Sequence, residues 1–203
     1  MEYLDRAIAT LKALDAEEKH IQSAQKIISA AVKENRLIHI FGTDTRSSAL
    51  ISEVFFRAGM PITIDPMLDP TLDSAHGAYR NQMAWEVKNL APCILDYYER
   101  VEEGDPFILI GSDETLPMFA QSLQWAKEKK LRIITISDNG TDGEVSVSTH
   151  CGDDTYAIAV SAILNMMMDA GLPEEKVWLG KRTVDLDRNT EKIDKMLFRI
   201  RHL

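Results

Sequence analysis

Five short apolar runs separated by helix-length segments predict an α/β fold: a doubly wound, mostly parallel five-stranded sheet with helices on both faces. Three observations carry this expectation. The runs at residues 37–41, 106–110 and 131–136 are almost continuously apolar, which marks strands covered on both faces rather than on one. The segments between them repeat apolar residues at helical spacing. Glycine or proline punctuates most of the boundaries.

The elements follow in order. From Leu4 to Val32, apolar residues recur at Leu4, Ile8, Leu11, Ile21, Ile28 and Val32 among good helix formers, giving one long helix or two short ones. Residues 37–41 form the first strand, closed by Gly42, and residues 47–58 the next helix, stopped by Gly59 and Pro61. Residues 62–65 are a short second strand, and 66–77, with two prolines and three aspartates, a loop. A helix over 79–98 is interrupted at Pro92. Residues 106–110 form the third strand, 115–130 a helix, and 131–136 the fourth strand. Val145-Ser-Val-Ser148 alternates as an exposed edge strand does. A final apolar helix spans 154–170, ended by Gly171 and Pro173. A charged tail over 173–203 carries an amphipathic helix near 191–201, so residues 1–172 are expected to form the domain proper.

Composition narrows the function. The 203 residues suit one domain, and 45% hydrophobic with 27% charged residues are ordinary globular values. A net charge of −9 repels phosphate backbones and argues against nucleic acid as a partner. The opening MEYLDRAIATLKALDAEEKH lacks the apolar core of a signal peptide, and no apolar run approaches the length of a membrane span. Cys93 and Cys151 match no metal spacing, which suits a reducing cytoplasm. No group of His, Cys and carboxylates has the spacing of a preformed metal site, and no cofactor motif is present: the first strand is followed neither by GK[ST] nor by a glycine fingerprint.

In a parallel sheet, ligands bind beyond the carboxyl ends of the strands. That nominates the loops at 42–48, at 111–115 and from Ser137 onward. The first, Gly42-Thr-Asp-Thr-Arg-Ser-Ser48, offers hydroxyls and an arginine at a helix start, suited either to an anion or to capping by Thr45 or Ser47. In the second, Ser112 and Thr115 are possible phosphate donors; alternatively Ser112 or Asp113 caps the next helix.

These loops carry a resemblance. Ile40-Phe-Gly-Thr43, Phe55-Phe-Arg-Ala-Gly59 and Gly104-Asp-Pro-Phe-Ile-Leu-Ile-Gly-Ser112 resemble strings IFGTGHS, FYRAGG and GDVLIVISNSG of an uncharacterised bacterial family of sugar isomerase (SIS) domains. The similarity runs from about His20 to Met168. It implies the flavodoxin-like SIS fold, a sugar phosphate as ligand and a homodimer pairing through the first and last helices of the domain. Thr43, Ser47, Ser112, Thr115 and Asp154 are the ligand-binding candidates the resemblance implies, and the hydroxyls and arginine of the first loop add Thr45 and Arg46. Ser47 matches the family's first-loop serine with one extra residue in the loop. Ser112 and Thr115 match the second serine and the threonine of S-x-S-G-x-T, while Ile110 and Asp113 replace its first serine and its glycine. A carboxylate there opposes a phosphate unless Arg46 or a partner chain offsets it.

If the chain is an aldose–ketose isomerase, it needs a base and an acid. Asp73-Ser-Ala-His76-Gly77 resembles the E-x-x-H-G string of some SIS isomerases, which makes His76 a candidate; taken by itself, a loop histidine is a solvated side chain. Glu86 lies where other SIS enzymes place a catalytic glutamate, against the plain reading of a solvated helix face. Asp154 stands where sugar-amine isomerases have a glutamate, against the plain reading of a helix cap. His39 reads as a packed strand residue, His20 as remote from the loops, and Met166-Met-Met168 as core or subunit interface. The sequence thus supports a phosphosugar-binding domain, isomerase included. A non-catalytic sensor or structural relative with an eroded phosphate site is the alternative, and a phosphosugar lyase or epimerase is not separated from an isomerase.

Overall fold

The computed structural model describes residues 2–73, 75, 77–140, 143–180 and 186–203. Its centre is a five-stranded, all-parallel sheet of β1 (Ile38–Gly42), β2 (Ile64–Met67), β3 (Pro106–Ile110), β4 (Arg132–Ser137) and β5 (Val145–Ser148), in the order β2-β1-β3-β4-β5. Ile40 aligns with Pro66 on one side and Ile108 on the other; Ile108 in turn aligns with Ile134. The helices are α1 (Glu2–Ala13), α2 (Glu18–Lys33), α3 (Thr45–Ala49), α4 (Ala78–Trp85), α5 (Leu90–Leu95), α6 (Pro117–Glu128), α7 (Tyr156–Met168) and α8 (Leu186–Met196). The N-terminal periodic segment is therefore two helices, joined by a tight turn at Leu14–Glu17.

Alternation within each strand divides the core in two. Ile38, Ile40, Ile108, Ile110, Ile134 and Ile136 pack against α2 and α7, whereas Phe41, Phe107, Leu109 and Ile133 pack against α5 and α6. Both faces are filled, so the central strands β1, β3 and β4 read as almost unbroken apolar runs. Each such side chain contributes about 1.5–3 kcal/mol by leaving water.

Several boundaries differ from the sequence reading, for identifiable reasons. β2 begins later than residue 62 and includes Pro66. It is an edge strand, and a residue without an N–H is tolerated where one side of the ladder is unpaired. The helix expected over 79–98 is α4 and α5, and the break precedes Pro92, at residues 86–89, where Asn89 adopts a left-handed conformation. Pro92 sits in the first turn of α5, where a missing N–H costs nothing. The segment after β1 begins earlier, at Thr45, and tightens after Ala49 into a 3₁₀ turn over Leu50–Glu53. The tail helix lies at Leu186–Met196, earlier than expected. Trp178, Met196 and Ile200 of the tail pack with Leu37 and Ile62, and Trp178 N–H donates to Met60 O.

Near the amino end of β1, the fully buried His39 lies between Asp65 (2.8 Å) and Asp105 (3.3 Å), and Asp105 also receives Arg36. His39 is thus hydrogen-bonded within the sheet, far down the strand from its loop. Among the described residues, no helix is long and apolar enough to cross a membrane.

Candidate functional site

The loops after β1 and β3 meet because those strands are neighbours, and the chain order reverses across them, the position at which open α/β sheets bind ligands. Two glycines permit the approach. A Cβ on Gly42 would stand 2.3 Å from Ser48 N, and one on Gly111 would stand 2.4 Å from the Phe119 ring and 2.8 Å from Thr43 Oγ1.

At their junction lies Asp44, fully buried. One carboxylate oxygen accepts the backbone N–H groups of Arg46 and Ser47, both at 3.0 Å. The other accepts Ser47 Oγ–H at 2.7 Å and, across the loops, Ser112 N–H and Oγ–H, both at 2.9 Å. Asp44, not Thr45 or Ser47, is therefore the N-cap of α3. It does more than cap, since Ser112 belongs to another loop. Ser47 has one proton and gives it to Asp44, so the Tyr156 hydroxyl, 2.8 Å away, donates to Ser47 Oγ. Burial and the nearby Asp44 charge push the Tyr156 phenol far above its usual range, so it remains a donor. Arg46 stands at the rim, its guanidinium over the Tyr156 ring and bonded to Asp153. Thr43 Oγ1 is buried beneath, with no hydrogen-bond partner among the described residues.

The other candidates lie elsewhere. Thr45 faces a separate groove on the far side of α3. Thr115 is exposed and donates twice to one oxygen of Asp113. Neither Ser112 nor Asp113 caps α6, which starts at Pro117. Asp154 does not cap α7 but pairs with Arg6 at 2.6 Å. Glu86 is exposed at the end of α4 and makes no ion pair with the cradle. His76 lies outside the described residues. Sequence reasoning missed Asp44. The signal for it was the extra residue between Gly42 and Ser47, together with the preference of Asp for a helix start.

A family model described as SIS domain matches residues 2–138. The chain belongs to the SIS domain family. It is 27% identical to a UPF0309 protein of Listeria innocua over 136 residues, 66% of this chain and 54% of the relative. A UPF0309 protein of Geobacillus thermodenitrificans is 27% identical over 124 residues, 61% of this chain and 49% of that one. A UPF0309 protein of Brucella ovis is 26% identical over 137 residues, covering 66% and 55%. This SIS domain thus spans about half the length of the curated relatives it matches. The strand order and the position of the two loops agree with the flavodoxin-like fold expected of the family.

Proposed function

We propose that this SIS domain is a non-catalytic binding or sensing module whose phosphate cradle is held closed by its own carboxylate. The observation that carries this reading is the five hydrogen bonds accepted by Asp44. The donors are those a phosphate would use: two amides at a helix start, a third amide and two serine hydroxyls. An incoming anion meets both spent donors and a fixed negative charge. Two like charges about 4 Å apart repel by about 1 kcal/mol in water and about 4 kcal/mol near a protein surface. The exposure of Glu86 is a second support, because proton transfer between sugar carbons needs a base held against the substrate.

The expected setting is cytoplasmic and the expected state a homodimer. Of the two helices expected to pair, α7 is buried against α1, α2 and the sheet. The outer face of α1, where Leu4, Ile8 and Leu11 are exposed, is the apolar surface that favours self-association.

Thermal unfolding with sugar phosphates and with inorganic phosphate tests the closed cradle. The native chain is expected to show no shift, and Asp44→Ala to gain one that a further Ser112→Ala removes. A clear rise in the native protein with a sugar phosphate, abolished by Ser112→Ala, would establish the phosphosugar-binding reading instead. Asp44→Asn keeps an acceptor for the α3 cap and guards against loss of fold.

A further inference from the structure

A second depression lies across α3 from the cradle. It is bounded by α3, by residues 68–73 after β2, and by His202 of the tail, and has a volume of about 440 Å³. Pockets for small molecules fall in this range and combine apolar walls with a few directed polar groups. Here the walls include Phe55, and the polar side chains are Thr45, Ser48, Ser52, Asp69, Asp73 and His202. No Lys or Arg lines it among the described residues.

Several of these polar atoms have unused capacity. Asp69 spends one carboxylate oxygen on the N–H and O–H of Thr71, and the other accepts no hydrogen bond among the described residues. Thr45 and Ser48 hydroxyls make none there either. His202 is set by its neighbour. Tyr98 donates its single proton to Leu68 O (2.7 Å) and accepts Leu68 N–H, so it faces His202 Nε2, 2.8 Å away, as an acceptor. Nε2 therefore carries the imidazole proton. Burial holds His202 below its usual pKa, so the ring is neutral and Nδ1 keeps a free lone pair.

We infer that this groove binds a small uncharged polyol, a free monosaccharide or alditol, with Asp69 and His202 Nδ1 accepting its hydroxyl protons and Thr45 and Ser48 exchanging hydrogen bonds with its oxygens. No Lys or Arg stands beside Asp69 among the described residues that line the groove, which disfavours a phosphorylated ligand, while apolar walls take the C–H faces of a sugar ring. The inference rests on the closed-cradle reading: a domain that has filled its phosphate cradle takes its sugar unphosphorylated.

The test is saturation-transfer NMR of the full chain with free hexoses, pentoses and alditols, with the matching sugar phosphates in parallel. At least one uncharged compound is expected to bind, and its affinity to fall about tenfold, the cost of about one charge-assisted or well-placed hydrogen bond, in Asp69→Asn and in His202→Phe. Asn keeps the oxygen that receives Thr71, and Phe keeps a ring against Tyr98; circular dichroism and the melting temperature report that both are folded. Absence of binding by every uncharged polyol at high millimolar concentration would overturn the inference. So would binding that both folded variants leave unchanged. Failure of the closed cradle has a different signature, phosphate-dependent binding that responds to Ser112→Ala and ignores His202→Phe.

Discussion

Asp44 and Ser112, 68 positions apart, are joined by two hydrogen bonds of 2.9 Å from the amide and hydroxyl of the serine to one carboxylate oxygen. This contact ties the loop after β1 to the loop after β3 and fills the concavity between them.

Asp44→Ala removes the α3 cap and leaves buried donors on Ser47 and Ser112 without an acceptor. A cap is worth about 1 kcal/mol, and stranding buried donors costs about 1–3 kcal/mol more. The expected loss is about 2–4 kcal/mol in urea unfolding, with Asp44→Asn intermediate. A loss below about 0.5 kcal/mol would show that the five hydrogen bonds do not stabilise the folded chain.

His39 makes stability depend on pH. Burial alone would lower its pKa, but hydrogen bonds and charge from Asp105 and Asp65 outweigh burial and raise it above 6.5. A raised pKa means that protonation favours the folded state. The contribution is therefore complete below the unfolded value of about 6.5 and is lost as pH rises through the folded value. Asp105 behaves oppositely: burial would raise it, yet His39, the Glu102 N–H and Arg36 lower it, so its contribution is lost as pH falls below the ordinary carboxylate range. Stability from this group of residues should peak under mildly acidic conditions and decline above neutrality. His39→Gln should flatten the alkaline decline and cost on the order of 3 kcal/mol at the optimum, as removing one member of a buried ion pair does. Denaturant midpoints measured across pH decide this. An unchanged alkaline slope in the variant would assign the decline to other groups.

The exposed stripe on α1 predicts the assembly state. Light scattering coupled to size-exclusion chromatography should give twice the chain mass of 22.9 kDa, and Leu4→Glu with Leu11→Glu should return it to one. A native mass near that of one chain would end the dimer proposal.

β1, β3 and β4 were legible because they are buried on both faces, which forces β-branched and aromatic residues into short unbroken runs, and β5 was legible from its alternation. Helix ends were less legible. The break between α4 and α5 precedes Pro92, with Asn89 left-handed just before α5, and β2 accepts Pro66 because it is an edge strand; neither fact follows from local propensity. Loops 42–48 and 111–115 could be nominated in advance, since strand ends in a parallel sheet are where ligands bind.

By itself the sequence determined the parallel α/β fold and the two loops, because periodicity and turn residues act over short distances, and its strand–loop strings carried the likeness to the family. Only the tertiary structure decided which carboxylate faces the cradle. Asp113, the suspect in the sequence, folds back onto Thr115, whereas Asp44 is brought to Ser112 by the pairing of β1 with β3. The position of His202 beside Tyr98 was likewise beyond local pattern, since it depends on where the tail packs. Hydrogen bonds between residues far apart in the chain leave no periodic trace, and at this site they join two loops that local pattern treats separately.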